Sequence, residues 1–456
     1  MLRVRPPLTM PRKPLSCSSG LHNDYPQQVF GVSADPVLSY IVRDNIDGLF
    51  TAVLNEDKHV VVYGASKQGK TALVSRYLPY DQNVVVRLSP NSNVEDIYSS
   101  ILRQCGVDIE IGKVEEKDSE ASATLGIRAK ATIWFFGEGE ANASSGLKTV
   151  DKSQKNLKTI PFNLAVAQDI AELLKSVNFK KKIVLENFHY LTEEKQRQLS
   201  FDLRSFQEMG VIFVVLGVWR QKDKLRIYCP DLTDRVVDVA VEPWTEDEFH
   251  RVATDGAKHL NVDFAPDVIQ HCIENSFGSI GVFQELLKHT CIAAGVSEWR
   301  QLSQQISSID FSNTAIQEKA EQYGATHFQA LELISSGNVT HSKDKEKTPL
   351  HLPYYLVCAI LEMGFAGLEH GISRSDIADR IKQHHHRKDD VRPSDMSNLL
   401  HNLSTLQHKK GISPPLIDYD IGKRRLYAID STFFFFLRNC DLGLVKDELP
   451  CPVSAG

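Results

Sequence analysis

The chain has 456 residues, of which 42% are hydrophobic and 24% are charged, and this composition is sufficient for two or three globular domains. Lysine and arginine total 52 against 58 aspartate and glutamate residues, so no overall positive field attracts the molecule to nucleic acid and any such contact has to be local. No apolar run approaches the roughly 20 residues of a membrane span. The N-terminal segment lacks the continuous apolar core of a signal peptide. A cytoplasmic protein with no membrane partner is predicted.

The first chemical signal along the chain is the segment 59–71, HVVVYGASKQGKT, in which a β-branched strand runs into the pattern G-x-x-x-x-G-K-T. In such a loop, backbone N–H groups surround the β-phosphate, the lysine bridges the β- and γ-phosphates, and the threonine hydroxyl is a magnesium ligand. A helix-forming stretch follows directly, which is the context that the pattern requires. The sequence therefore predicts ATP and Mg²⁺ as cofactors, bound by Gly64, Ala65, Ser66, Lys67, Gln68, Gly69, Lys70 and Thr71.

A second acidic strand is expected to complete the metal site. The run Lys182 to Asn187, KIVLEN, is apolar and ends in a carboxylate, so Glu186 is predicted to hold magnesium together with Thr71. The next residue, Asn187, cannot accept a proton, and slow hydrolysis is therefore predicted. The alternative is an ordinary buried strand that ends in a surface glutamate.

Two further apolar runs, 83–89 and 211–220, are typical of buried parallel strands of the same sheet. Together with the P-loop strand and the acidic strand, they predict an α/β domain with a parallel sheet between layers of helices.

In this order and spacing, four motifs resemble those of AAA+ ATPases of the origin-recognition/STAND division: GASKQGKT, IVLENFHYL, VVLGVWR and DLTDRVVDVAVEPWTEDE. The segment 39–55 is also similar to the arginine-containing segment that precedes the P-loop in that family, and the resemblance spans roughly residues 28–300. It implies a conformational change with bound ATP and self-association through the ATPase domain. It further implies that Arg220 senses the γ-phosphate and that Arg235 reaches a neighbouring subunit's nucleotide; a solvated strand end and a surface arginine remain the respective alternatives.

Two departures from the family pattern favour a switch over a fast motor. Asn187 stands where most of these ATPases have the glutamate that polarises the attacking water. In the predicted lid, Thr245 and Glu248 form a capping box at the start of a helix. Residues 278–286, where related lids commonly place an arginine near a helix start, contain none.

A long connection, 113–160, lies between the second strand and the acidic strand. Small apolar residues alternate there with basic and aromatic ones, which predicts a β-hairpin with its turn near Gly137 to Gly139. The hairpin could grip DNA or a neighbouring subunit, or be purely structural.

The C-terminal part predicts three helices followed by a β-hairpin with its turn at Asp420 to Lys423, which is the winged-helix pattern. Candidate nucleic-acid contacts lie in the third helix and around the wing: Ser394, Ser397, Asn398, His401, Asn402, Lys409, Lys410, Lys423, Arg424 and Arg425. Twelve Lys and Arg against ten Asp and Glu in 349–440 suit a protein partner as well as double-stranded DNA.

The predicted fold class is thus α/β, a three-layer P-loop parallel sheet with a helical lid, followed by an α+β winged-helix domain. The predicted division of the chain is a disordered tail (1–27), an ATPase domain (28–242), a lid (243–300), a helical linker (301–348), the winged helix (349–440) and a tail (441–456). The preferred function is an ATP-binding switch and slow ATPase recruited to nucleic acid. The alternatives are a STAND-like signalling or antiviral-defence scaffold that oligomerises on ATP without binding DNA, and a protein that uses ATP as structural glue.

Overall fold

The computed structural model describes residues 24–31, 37–111, 128–135, 156–337 and 348–452. The strands within these ranges are β1 (His59–Gly64), β2 (Val84–Arg87), β3 (Asp108–Ile111), β4 (Arg128–Phe135), β5 (Asn156–Asn163), β6 (Ile183–Glu186), β7 (Phe213–Val218), β8 (Val236–Ala240), β9 (Val262–Phe264), β10 (Gln304–Ile306), β11 (Ile372–Ser373), β12 (Ile417–Asp420) and β13 (Arg425–Ala428).

The α-helices within the same ranges are α1 (Pro26–Phe30), α2 (Asp44–Leu54), α3 (Lys70–Tyr77), α4 (Val94–Gln104), α5 (Ala167–Ser176), α6 (Glu193–Glu208), α7 (Lys224–Tyr228), α8 (Glu246–Leu260), α9 (Pro266–Glu274), α10 (Ile280–Ala293), α11 (Ile309–Ser335), α12 (Leu352–Glu369), α13 (Arg374–His384), α14 (Pro393–His401), α15 (Leu403–Lys409), α16 (Ser431–Asn439) and α17 (Leu442–Glu448). Short 3₁₀ helices lie at Phe188–Tyr190, Pro230–Leu232 and Lys388–Asp390.

A five-stranded parallel sheet with the order β2-β6-β7-β1-β8 forms the centre of the first domain. Its strands are rich in β-branched residues that are buried on both faces, as expected of a parallel sheet between helices. Gly64 at the end of β1 lies opposite Val218 at the end of β7, so the carboxyl ends of these strands meet at one edge. The four strands of this sheet predicted from the sequence are confirmed, and β8 is the fifth.

Two layers of helices cover this sheet. On one face, Phe50 of α2 and Leu73 of α3 pack against Val62 of the P-loop strand. On the other face, Ile97 of α4 and Leu203 of α6 pack within the larger core cluster, together with the remaining side chains of the sheet. Full burial of one such side chain contributes about 1.5–3 kcal/mol. The layers confirm the α/β class and bring the loops after β1, β6 and β7 to one edge.

His59 ties the opposite, amino end of the sheet to α6. One ring nitrogen, Nε2, bonds the Leu203 carbonyl oxygen at 2.7 Å, and the other, Nδ1, accepts the Phe213 backbone N–H at 3.0 Å. Burial lowers the pKa of His59 to about 4, with the Leu203 bond opposing the shift. The ring is therefore neutral near pH 7 and has a structural role.

Strand β4 of the insertion pairs with β3, which precedes the insertion, and with β5 in a separate antiparallel sheet with the order β3-β4-β5. Strands β4 and β5 pair antiparallel from Arg128 opposite Asn163 to Phe135 opposite Asn156, so the segment 136–155 joins them in place of a tight turn directly after β4. Ala129 is buried while Lys130 is exposed, in agreement with the predicted alternation. The predicted turn near Gly137 to Gly139 lies outside the described residues.

The lid consists of α8, α9 and α10, which pack together with the short parallel pair β9 and β10. Its predicted capping box is present, since the Glu248 backbone N–H donates to Thr245 Oγ1 at 3.3 Å and the Thr245 N–H donates to the Glu248 carboxylate at 2.8 Å. Phe30 of α1 is buried in the same core. Helix α1 starts at Pro26, so the ordered part of the lid begins within the predicted tail 1–27.

Helix α11 links the lid to the C-terminal domain. Within the predicted helical linker 301–348, one 27-residue helix runs from Ile309 to Ser335. Its first half contributes Ala315 to the lid core, and its second half contributes Leu331 to the C-terminal core. A single continuous helix with side chains in both cores couples their positions.

The C-terminal domain has the element order α12, β11, α13, α14, α15, β12, β13 and a three-stranded antiparallel sheet with the order β11-β13-β12. This is the topology of a winged helix, and the predicted wing turn lies between β12 and β13. The single third helix predicted from the sequence is divided at Asn402 into α14 and α15. The second part of the predicted fold class is α+β, as expected.

Two segments that follow the wing are helical. Phe433 to Leu437 has the length of a strand but lies in helix α16, because the Asp430 side chain caps the helix by accepting the Thr432 N–H, and the aromatic rings pack against α11 and α12. Within the predicted tail 441–456, α17 packs on α12, and Lys446 pairs with Glu362 at 2.6 Å.

Helix α12 is long and apolar enough to cross a membrane by length and composition, which the sequence analysis did not predict. However, 56% of its apolar window is buried inside the fold, and its helical geometry is interrupted at Gly364 (φ 57°, ψ −156°). These are properties of a core helix, and α12 packs against α11, α13, α16 and α17.

Candidate nucleotide-binding site

The P-loop connects β1 to α3 at the carboxyl edge of the sheet. Gly69 has a left-handed backbone (φ 81°) at the position that caps α3, and Lys67 also has a positive φ of 57°. A glycine is needed at 69 because other residues adopt this conformation at a cost. The loop therefore leaves the first N–H groups of α3 pointing toward the space where an anion binds best.

Lys70 holds its ammonium inside this loop. Its Nζ donates to the Gly64 carbonyl oxygen at 3.1 Å and to the Ala65 carbonyl oxygen at 2.5 Å. Burial lowers the pKa of Lys70 to about 8, and the carboxylate of Glu242 opposes the shift. Two carbonyl oxygens compensate a buried cation incompletely, so phosphate oxygens are its natural partners.

A cavity of about 550 Å³ opens beside the loop, a size within the roughly 300–1,000 Å³ range of small-molecule sites. P-loop residues 66–71 form one wall, and Ile280, Gly281 and Gln284 of the lid form another. The remaining lining includes Asn187 and His189 after β6 and, unexpectedly, Pro414 and Asp430 of the C-terminal domain.

A second, mainly apolar cavity adjoins the first through Gly69, Ala72 and Gln284. Its walls include Tyr40 and Ile41 before the P-loop, together with Val241 and Trp244 at the start of the lid. Its volume of about 40 Å³ holds a few water molecules and is too small for a nucleobase, so it is a small apolar gap between the P-loop and the lid.

Arg43 fixes the wall of this second cavity. Its guanidinium donates to Glu248 at 3.0 Å, to the Val241 carbonyl at 2.7 Å and to the Pro243 carbonyl at 2.8 Å, and it lies 3.9 Å from the centre of the Trp244 ring. The arginine of the segment 39–55 is therefore a structural clamp between the P-loop domain and the lid.

Glu186, the predicted metal ligand, has both carboxylate oxygens engaged elsewhere. One accepts the Tyr80 hydroxyl at 2.5 Å, and the other pairs with Arg87 Nε at 3.1 Å. Asn187, with a left-handed backbone (φ 61°), lines the P-loop cavity, whereas Glu186 does not. The metal-binding role of Glu186 stays a prediction, and it requires the carboxylate to leave these two partners.

The residues fit magnesium only in part. Thr71 is exposed in the first turn of α3, so its side chain is accessible to a nucleotide-bound ion. Thr71 and the phosphates would hold the ion, and the metal would neutralise phosphate charge when bound. The engaged carboxylate of Glu186 does not fit without rearrangement.

His189 is a cavity residue that the sequence analysis missed. Its Nδ1 atom is buried and has no hydrogen-bond partner among the described residues. Burial, with smaller contributions from the charges of Lys70 and Lys224, lowers the pKa of His189 to about 3, so the ring is neutral. The one sign of His189 in the sequence was its position three residues after Glu186, within the motif IVLENFHYL.

The two predicted sensor arginines lie outside the P-loop cavity. Arg220 is 4.0 Å from Glu242 and lines a cleft of about 450 Å³ between the ATPase domain and the wing. Arg235 pairs with Glu208 at 2.9 Å, and its carbonyl accepts the His59 N–H at the amino end of β1. The strand separates Arg235 from its own P-loop by about 17 Å, at 3.3 Å per residue. Both roles stay predictions, and that of Arg235 requires a second subunit.

The lid contacts the P-loop backbone directly. The Gly281 N–H donates to the Lys67 carbonyl at 2.9 Å, and a Cβ atom at 281 would lie 2.8 Å from that oxygen. Gln68 Nε2 donates to the Gly278 carbonyl at 3.2 Å. The lid contributes close backbone contacts here, in place of the arginine that the family pattern leads one to expect.

A second cavity that can attract anions, the wing concavity, lies on the winged-helix domain and has a volume of about 520 Å³. It is defined by six cations: Arg374, Lys382, Arg392, Lys423, Arg424 and Arg425. No carboxylate is among its described lining residues. Arg392 pairs with Asp395 at 3.4 Å and Lys423 lies 4.0 Å from Asp420, while the other four make no ion pair within the described part of the chain.

The wing concavity contains only some of the predicted nucleic-acid contacts. Lys423, Arg424 and Arg425 are brought together, and α13 and the start of α14 add Arg374, Lys382 and Arg392, which the sequence analysis missed. The other predicted contacts are spread over the exposed side of α14 and α15: Ser394, Ser397, Asn398, His401, Asn402, Lys409 and Lys410. Lys410 is bonded to Ser336 at 3.1 Å.

Comparison with known proteins shows remote structural likeness. No protein-family model matches the chain, and no curated protein matches its sequence. Among solved structures, it is similar to the Walker-type ATPase PABY2304 of Pyrococcus abyssi (12% identity, 90% of this chain and 99% of that chain, TM-score 0.47). It is also similar to the Orc1 protein of Aeropyrum pernix, solved in complex with DNA (13% identity, 91% of this chain and 97% of that chain, TM-score 0.42). A third similar structure is the RuvB Holliday junction branch migration motor of Thermotoga maritima (11% identity, 85% of this chain and 92% of that chain, TM-score 0.36). At these TM-scores the likeness carries no conclusion about function, which has to be argued from the chain's own residues.

Proposed function

We propose that this chain is an ATP-binding molecular switch with slow ATP hydrolysis that is recruited to nucleic acid through its winged-helix domain. The observation that carries the proposal is the buried ammonium of Lys70, held by two carbonyl oxygens beside a cavity of about 550 Å³. A nucleoside triphosphate supplies the anionic oxygens that this cation lacks.

Slow hydrolysis follows from the polar groups around the phosphate position. Asn187 cannot accept a proton, and neutral His189 is a weak base at neutral pH because burial lowers its pKa. Among the described cavity residues, the one carboxylate is Asp430, which is engaged by hydrogen bonds. Thr71, Glu186 and Mg²⁺ complete the proposed site, with Arg220 and Arg235 as proposed sensors.

Binding to nucleic acid follows from the wing concavity. Its six cations come from α13, the start of α14, and the wing, and they face one space that contains no described carboxylate. Phosphates of double-stranded DNA are spaced to contact several such cations at once, and each contact releases counterions.

The proposal includes the predicted domain division, a cytoplasmic location and self-association through the ATPase domain. The proposed role of Arg235 depends on this self-association, because the residue lies too far from its own P-loop to act there. A protein partner of the winged-helix domain is the alternative to DNA.

The test measures binding of a labelled DNA duplex by fluorescence anisotropy with MgATP, with MgADP and without nucleotide, while phosphate release is recorded in the same samples. We expect the DNA duplex to bind more tightly with MgATP than with MgADP, and we expect this difference to be lost in Lys70→Ala. Phosphate release should be slow. Absence of DNA binding in all states, with ATP-dependent growth in particle size by light scattering, would instead indicate the signalling scaffold.

A matched pair of double variants tests the proposed surface. Lys382→Ala with Arg424→Ala removes two cations of the wing concavity that make no ion pair among the described residues. Lys409→Ala with Arg438→Ala removes the same charge from exposed positions of the same domain outside it. The first pair should weaken DNA binding by about tenfold or more and the second by less than about threefold. Equal effects would contradict the assignment of this surface.

A further inference from the structure

The winged-helix domain contacts the P-loop itself, at Ser66. The Ser66 N–H donates to the Ile429 carbonyl at 3.1 Å, and Ser66 Oγ donates to Asp430 Oδ1 at 3.0 Å. In return, the Ser431 N–H donates to Ser66 Oγ at 3.1 Å, and Ser431 Oγ donates to the Ser66 carbonyl at 2.8 Å. All four bonds join residues more than 360 positions apart. They use every polar group of one P-loop residue.

The position of Asp430 is fixed from both sides. Its Oδ1 also accepts the N–H and the hydroxyl of Thr432 at 2.8 Å, which makes Asp430 the N-cap of α16. Thr432 is in turn bonded to His327 of α11 at 2.9 Å. Asp430 is only 8% exposed, so its carboxylate is held rigidly where it lines the P-loop cavity.

A carboxylate at this place opposes a nucleotide. Phosphate groups that enter the cavity bring negative charge next to a buried, fixed negative charge, and like charges repel strongly where water is excluded. The γ-phosphate adds charge that a diphosphate lacks, so the repulsion is larger for ATP than for ADP.

We propose that Ile429, Asp430 and Ser431 form a latch that holds the winged-helix domain on the P-loop, and that the γ-phosphate of ATP opens it. This regulation of the nucleotide site rests on the proposed function. The latch keeps the triphosphate affinity low while it is closed. ADP leaves it closed.

The latch also connects the two anion-binding cavities. Strand β13 ends at Ala428, immediately before Ile429, and begins with Arg425 of the wing concavity. Release of the latch therefore displaces the strand that carries part of the concavity. By linkage, nucleic acid that prefers the released position raises the affinity for ATP by the same factor by which ATP raises the affinity for nucleic acid.

The experiment compares Asp430→Asn with Asp441→Asn. Both replace an aspartate N-cap by asparagine, which is an equally good cap, and Asp441 serves α17 by accepting the Gly443 and Leu444 N–H groups. Only Asp430 faces the P-loop cavity. Asp430→Asn should tighten MgATP binding by about tenfold, with less than threefold for MgADP, and Asp441→Asn should change neither. Ser431→Ala, which keeps the charge, should tighten ATP binding by about threefold.

Hydrogen exchange gives an independent readout. Addition of MgATP should accelerate exchange of the Ser431 amide, whose bond to Ser66 Oγ joins the two sides of the latch, in the wild type and leave it unchanged in Lys70→Ala. If the wild type binds ATP but Asp430→Asn behaves like Asp441→Asn and exchange of the Ser431 amide does not change, the latch is wrong and the proposed function stands. If no variant binds ATP, the proposed function fails and the latch with it.

Discussion

Two cavities of this chain offer positive charge to an anion, and they do so in opposite ways. The P-loop cavity has the buried ammonium of Lys70, fixed by two carbonyl oxygens and enclosed by the lid. The wing concavity has six cations from three parts of the winged-helix domain, five of them on exposed residues, with Arg374 half-buried.

This difference determines which kind of anion each cavity can recognise. A buried charge with backbone N–H groups around it is matched to one compact anion and is little affected by salt. Several mobile, exposed charges suit an extended polyanion, and salt screens them strongly. One chain thus combines a specific small-ligand site with a surface that responds to charge density.

The largest effect expected from this comparison is the salt dependence. If all six cations of the wing concavity contact phosphates, the affinity for a DNA duplex should fall by about 1,000-fold between 50 and 200 mM salt. ATP affinity should change by less than about threefold over the same range. Anisotropy with labelled duplex and calorimetry with MgATP give the two slopes. Parallel slopes would remove the distinction between the cavities.

The next effect concerns the single buried charge. Lys70→Ala should weaken MgATP binding by about 100-fold, since hydrogen bonds to charged groups contribute about 1.5–3 kcal/mol each. Calorimetry is the measurement, and Lys58→Ala, which removes an exposed lysine paired with Glu56, is the control. An equal loss in both variants would indicate a general effect of charge.

The proton of Lys70 predicts a smaller, tenfold effect. The pKa of Lys70 is lowered to about 8 before nucleotide binds, and bound phosphates require the charged form. ATP binding should therefore weaken by about tenfold between pH 7 and pH 9, with uptake of about 0.9 proton per ATP at pH 9. Calorimetry in buffers of different ionisation enthalpy measures the uptake. Lys70→Arg should abolish it, because arginine stays protonated.

The smallest expected effect comes from His59, a buried residue that lines neither of the two cavities. Burial lowers the pKa of His59 to about 4, below the ordinary 6.5, so the folded state takes up this proton later than the unfolded state as the pH falls. Stability is therefore lost on acidification, by about 1.4 kcal/mol between pH 7.5 and 5.5. Urea unfolding should show this loss in the wild type beyond that in His59→Gln. ATP should leave the difference unchanged, and a nucleotide-dependent difference would give His59 a role at the site.

The sequence was sufficient for local features. The P-loop strand and the helix after it follow from β-branched runs and a glycine pattern, because backbone geometry there depends on neighbouring residues. The capping box at Thr245 and Glu248 has the same local origin. Helix α16 was the exception, since a run of phenylalanines suits a strand as well as a helix and the Asp430 cap decided between them.

Features that depend on distant residues could not be predicted. Glu186 ends the right strand, but Tyr80 and Arg87 occupy its oxygens. The nearly balanced charge of 349–440 gave no sign that six cations gather in one concavity. The contact between Ser66 and Asp430 joins residues 364 positions apart, and no spacing rule reports it.

The central claim is that the two cavities are coupled, and it is tested most directly by measuring MgATP affinity with and without a saturating DNA duplex. We expect DNA to tighten ATP binding by a factor of about 5 or more, and ATP to tighten DNA binding by the same factor, as linkage requires. An ATP affinity that is identical with and without bound DNA would contradict it, because the two sites would then be independent.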